Sequence, residues 1–167
     1  LYYAENLYGN NELLTELIIP GGVTSIGEYA FCGCDNLTSI TIPDSVTSIG
    51  HDAFYGCSNL TEIKYNATEC AGFGYENYVF SNAGKNGEGI TVAIGANVKN
   101  IPSDMFYPYP YSSSSAPKIV SVIFEEGSNC KRIDSNAFSY CSSLSDVYYY
   151  GSSSEWSEIT VYSSGNA

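Results

Sequence analysis

Basic side chains are scarce in this sequence. Six Lys and Arg stand against 18 Asp and Glu, for a net charge of −12 over 167 residues. Such a chain repels phosphate backbones and anionic lipid headgroups, which argues against nucleic acid and membrane surfaces as partners. The same acidity favours solubility and opposes self-association, so a monomer is expected. Charge of either sign is thin, at 14% of residues, whereas Tyr and Gly each number 16. That balance points to a β-rich protein with a polar, weakly charged surface. No apolar run is long enough to cross a bilayer. The opening "LYYAEN" carries no basic segment of the kind that begins a signal peptide, and the first and last units read as incomplete. The expectation is a mature or trimmed fragment.

Catalytic and metal-binding signatures are also missing. There is no G-x-S-x-G, no H-E-x-x-H and no Cys/His pairing with a plausible neighbourhood. The one histidine, His51, lacks an orienting partner and a nucleophile in the sequence, and reads as a solvated surface residue. Glu125 and Glu126 are adjacent in a turn, whereas paired glycosidase carboxylates face each other across a cleft. "GKNGEG" (84–89) has glycines but no K-[ST], and reads as a flexible loop. No D-x-D-x-D-G series is present for calcium. The CxC at Cys32 and Cys34 has no partner pair for zinc. No catalytic residue, cofactor or metal site is expected.

What the sequence does contain is repetition. "LTELIIPGGVTSIGEYAFCGC" (14–34) is followed at an offset of 23 residues by "LTSITIPDSVTSIGHDAFYGC" (37–57). A fixed period of this size marks stacked coils, none of which can bury its apolar face alone. Ile40 and Ile42 alternate with Ser39 and Thr41, the period-2 pattern of a half-buried strand. Pro43 ends that strand because it cannot donate to a ladder. Val46 and Ile49 return to the interior, Gly50 is expected to permit a bend, and Ala53 and Phe54 fill the core. Looser copies follow. Val92, Ile94, Val98, Ile101 and Phe106 form one set. Val122, Phe124, Cys130, Ile133, Ala137, Phe138 and Cys141 form another, and Leu144, Val147 and Tyr149 supply a last strand. Between Tyr65 and Gly89 the A-F-x-x-C element is not evident, and "YPYPYSSSSAPK" (107–118) replaces a normal coil closure. "SSSEWSEI" (152–159) is expected to form one helical turn whose Trp156 caps the stack. Other helix is expected only as one-turn pieces around the A-F positions.

The unit resembles the BspA-type leucine-rich repeat. The match lies in "IPxxVTSIGxxAFxGC", nearly intact at 19–34 and 42–57, in "IDSNAFSYCSSL" (133–144), and in the closing "VYYYGSSSEWSEI" (147–159). It departs at 66–88 and 107–118. The resemblance implies a right-handed, mainly β solenoid with a parallel sheet. It also implies a secreted or cell-surface location in gut or oral bacteria, and a recognition or adhesion role without catalytic residues. A single solenoid is expected over 1–167: an incomplete coil at 1–13, regular coils at 14–36 and 37–59, irregular coils at 60–88 and 89–118, a coil at 119–143 and a cap at 144–167.

Cys34, Cys57 and Cys141 recur three residues after a Phe, and are read as small buried apolar side chains. Stacking brings Cys34 and Cys57 near bridging distance, and a Cys70–Cys130 or Cys32-containing bridge stays open. Asn36 and Asn59 begin N-x-T sequences, but are read as satisfying backbone groups in the turn before each strand.

Two candidate partner surfaces remain. If Ile40 and Ile42 point inward, one outward row is Glu16, Ser39, Glu62, Thr91, Ser121 and Asp146. The other is Ile18, Thr41, Lys64, Ala93, Ile123 and Tyr148. Ile18, Ile123 and Tyr148 are unusual for an exposed row, although strand-favouring residues on a solvated sheet would look the same. The second surface is "YPYPY", which sets Tyr107, Tyr109 and Tyr111 on a proline-stiffened loop. It is either a contact site for a protein or glycan, such as a host surface or matrix component, or a loop whose rings fold back over the solenoid edge. A structural spacer with no ligand of its own is the alternative function.

Overall fold

A computed structural model describes residues 8–9, 11–71, 73 and 76–162. Each repeat contributes one longer strand, and these align in a six-stranded parallel sheet. In chain order its strands are β3 (Glu16–Ile18), β5 (Ser39–Ile42), β7 (Glu62–Tyr65), β8 (Ile90–Ile94), β10 (Ile119–Phe124) and β12 (Asp146–Tyr149). Each pairs with the next. The register carries Ile40 beside Leu17, Ile63, Val92 and Val122 along one inward row. Alternation decides which side is buried: in β5 Ile40 and Ile42 are buried and Ser39 and Thr41 are not. A one-residue slip would turn all of these apolar side chains outward, so the register is strongly specified.

After most of these strands, of which β3 and β5 are followed by a proline, the chain turns and forms a short second strand. β4 (Ser25–Ile26) pairs with β6 (Ser48–Ile49), and β9 (Asn100–Ile101), β11 (Arg132–Ile133) and β13 (Thr160–Val161) form a separate parallel set. Between the two sets, the irregular coil adds no second strand among its described residues. Ala71 N–H donates to Thr47 O at 3.1 Å and Phe73 N–H to Ser103 O at 3.1 Å. A small antiparallel pair, β1 (Tyr8–Gly9) and β2 (Glu12–Leu13), precedes the stack. Ser153–Ser157 forms α1, closed by a capping box between Ser152 and Glu155. It places Trp156 against Phe124 and Tyr149, with ring centroids 5.7 and 5.4 Å away, as a cap on the last coil. No helix among the described residues is long and apolar enough to cross a membrane.

The A-F segments are not helical. In the second coil Ala53, Tyr55 and Cys57 N–H bond back three residues, to Gly50, Asp52 and Phe54 O. The intervening Asp52, Phe54 and Gly56 N–H donate instead to the next coil, at Asn77, Val79 and Ser81 O. A continuous helix is blocked because residues two before and two after the Phe have left-handed backbone, as at Asp52 (φ 53) and Gly56 (φ 70). The result is a chain of tight turns in which every second N–H ties two coils together.

This hydrogen-bond ladder also locates the element that the sequence pattern did not reveal in the irregular coil. Val79-Phe80-x-x-Ala83 occupies the place of Ala53-Phe54-x-x-Cys57. Phe31, Phe54, Phe80, Phe106 and Phe138 then form one column through the core, with successive centroids 5.3–5.4 Å apart. The "GKNGEG" segment is anchored to the same framework, since Gly84 and Asn86 N–H donate to Cys57 and Ser58 O. Gly50 serves close approach rather than a special backbone angle. A Cβ there would lie 2.5 Å from Glu28 N and 2.8 Å from Gly27 C. Val147, read as a core position, is 49% exposed because β12 is the outermost strand of the sheet.

Candidate binding surface

The sheet places both outward rows as the alternation requires. Ile18, Thr41, Lys64, Ala93, Ile123 and Tyr148 are consecutive register partners, and so are Glu16, Ser39, Glu62, Thr91, Ser121 and Asp146. The apolar members are not brought together, however. Ile18 is 63% exposed at one end, while Ile123 and Tyr148 (51% exposed) are neighbours at the other. Thr41, Lys64 and Ala93 separate them, and Lys64 Nζ lies 3.6 Å from Glu62 Oε1. The face is therefore a mixed polar sheet with one small apolar corner.

The tyrosine loop is more concentrated. Pro108 is buried and Tyr107 half-buried, which roots the loop, while Tyr109 and Tyr111 are 52% and 41% exposed. Part of the loop thus folds back, and part stands out. Tyr109 N–H donates to Ser81 Oγ at 3.0 Å, fixing the outer segment to the neighbouring coil.

Two further tyrosines complete the group. Tyr78 is buried beneath the loop, with its ring 5.0 Å from Tyr109 and its hydroxyl 3.0 Å from that of Tyr111. Tyr140, from the following coil, lies 5.8 Å from Tyr107. Tyr107 and Tyr109 are 5.8 and 6.1 Å from Tyr111. The line continues from Tyr78 through His51 (5.8 Å) to Tyr29 (5.3 Å).

Backbone conformation marks these residues. Asp52, Asp104 and Asn136 fill the left-handed position two before the Phe, and Gly33, Gly56 and Asn82 the one two after it. These are residue types that tolerate such angles. Tyr29 (φ 56), Tyr78 (φ 37) and Tyr140 (φ 63) hold the same positions, although a bulky side chain is costly there. All three belong to the aromatic line. The sequence signal is visible once the column is aligned: "SYC" puts Tyr140 where "YGC" puts Gly56.

His51 is partly solvated, its side chain 33% exposed, but it also has two partners. Its Nδ1 lies 2.6 Å from Glu76 O and its Nε2 3.0 Å from Asp52 Oδ2. Burial raises the Asp52 carboxyl above the usual range, with His51 opposing that shift. The six cysteines are all buried, and none is in a disulfide. Burial raises every one of the six thiols, and Cys141 is pushed up to about 12. Cys57 donates to Phe31 O at 3.1 Å. Asn36 and Asn59 reach back to the preceding coil, donating to Leu14 O and, at 2.6 Å, to Asp35 O. No group of three or more possible metal ligands occurs among the described residues.

The family model for the BspA type leucine rich repeat region matches in six copies, over residues 3–144 and 91–166. The chain belongs to the BspA-type leucine-rich repeat family. This leucine-rich repeat chain resembles the crystal structure of a leucine rich cell surface protein from Faecalibacterium prausnitzii, at 25% identity and a TM-score of 0.50 over 92% of its length. A leucine-rich repeat protein from Eubacterium ventriosum is similar at 26% identity and a TM-score of 0.52 over 84%. The chain spans only about a third of each of those structures, 35% and 34%. A search of curated proteins found no match.

Proposed function

We propose that this leucine-rich repeat solenoid is a non-catalytic interaction module of a secreted or cell-surface bacterial protein, and that it holds a protein or glycan partner on its tyrosine cluster. The observation that carries the reading is the left-handed backbone of the exposed Tyr140. Gly stands at that position in two other coils and Asn in a third, so a strained, exposed tyrosine beside two other exposed tyrosines points to a role besides packing. Tyrosine gives a large contact area at low entropic cost. The likeness to a cell surface protein of Faecalibacterium prausnitzii supports the location. A lack of catalysis fits thiols that burial keeps protonated and a His51 whose two nitrogens are already engaged. The corner at Ile123 and Tyr148 is a secondary contact surface in this reading.

The test is a screen of the purified chain against host matrix proteins and a glycan array, beside a Tyr107/Tyr109/Tyr111→Ser variant. Binding lost in the variant supports the cluster as the site. Binding retained moves the site to the strand face. No binding at all favours a structural spacer.

A further inference from the structure

Resting on that reading, we infer that the partner is a neutral oligosaccharide laid across the rings of Tyr109, Tyr111 and Tyr140. The exposed part of the cluster is small. Three rings of roughly 150–250 Å² each, about half exposed, offer about 300 Å². A stable protein interface needs roughly 800 Å² per partner around an apolar core.

A pyranose ring matches this surface. Its C–H face stacks on an aromatic face, and its hydroxyls need donors and acceptors at the rim. The rim supplies the exposed Ser113 and Ser114 of the segment that closes the loop. Charge narrows the class further. Five of the six basic side chains are engaged elsewhere: Lys64 with Glu62, Lys99 with Glu69, Lys131 with Glu158, Arg132 with Asp134, and Lys118 with Gly87 O. The sixth, Lys85, acts on Cys141 beside Tyr140, with its pKa lowered chiefly by burial; against a net charge of −12 on the whole chain, a uronate, sulfated or sialylated glycan still meets net repulsion.

The experiment is a calorimetric titration of the full chain with neutral gluco-, manno- and galacto-oligosaccharides, an oligogalacturonate and a proline-rich peptide, at low and high salt. A neutral oligosaccharide is expected to bind with no salt dependence. Tyr109→Ser should weaken it about tenfold, a loss typical of one aromatic contact, and Tyr109→Phe should keep it. No binding by any neutral oligosaccharide overturns the inference, as does preference for the anionic oligomer or the peptide. Equal loss in the Ser and Phe variants also overturns it, because the ring is then not the contact. A matrix protein that binds through the tyrosines in the broader screen overturns the glycan assignment alone and leaves the interaction module standing.

Discussion

The rings of Phe54 and Phe80 lie 5.3 Å apart and within 5° of parallel. Phe80 belongs to the coil in which the repeat is hardest to read, yet it continues the stack without a break. Both side chains are completely buried. Phe80→Ala is therefore expected to destabilise the protein as much as Phe54→Ala, each by roughly 3–5 kcal/mol, since each opens a cavity between two other phenylalanines. Chemical denaturation of the two variants checks this. A Phe80 variant with wild-type stability would remove it from the column.

Gly50 and Gly27 occupy the same place in adjacent coils, but among the described residues only Gly50 meets a neighbouring coil on the side its Cβ would face. A methyl group at Gly50 meets the backbone at Glu28 and Gly27, which cannot rotate away, whereas one at Gly27 meets nothing within 4 Å. Gly50→Ala should cost roughly 1–3 kcal/mol as overpacking. Gly27→Ala should stay within about 0.5 kcal/mol. Melting curves for the pair would separate close approach from turn geometry, because a bend requirement would penalise both alike.

The cysteines are expected to behave as core residues. Denatured, unreduced protein should titrate for all six thiols, and native protein should react slowly with thiol reagents at neutral pH. Burial both hides the sulfurs and raises their pKa, so the reactive thiolate is scarce. Fast modification of native protein at pH 7 would contradict this packing.

Much of this architecture was legible because the 23-residue period fixes which strand residues share a row. The inward Ile40 and Ile42 and both outward rows follow from alternation plus the repeat, and the structure pairs them in that register. Phe80 was hidden because its flanking residues changed together. Val79 replaces Ala, Ala83 replaces Cys, and the chain between Phe54 and Phe80 exceeds the period. The alternation of local and inter-coil hydrogen bonds was not legible, since it depends on left-handed residues that Asp, Asn, Gly and Tyr all supply. The tyrosine group was half legible. "YPYPY" is contiguous, but Tyr78 and Tyr140 reach it only through stacking, from coils on either side of the loop.

Tyr140 offers the sharpest separation of folding from function. Its left-handed backbone costs a bulky L residue roughly 1–2 kcal/mol, and the equivalent residues Gly33 and Gly56 avoid that cost. Its ring is 42% exposed, so its removal sacrifices little core packing. Tyr140→Gly is therefore expected to leave stability unchanged or to raise it by up to about 1 kcal/mol, the relief of strain being partly offset by the extra freedom of glycine in the unfolded chain. The same variant should bind its partner less tightly, having lost one wall of the tyrosine group. Paired measurements of melting temperature and affinity decide the matter. A Tyr140→Gly protein that is clearly less stable would mean that the ring is retained for packing, and the strained backbone would then no longer point to a binding site.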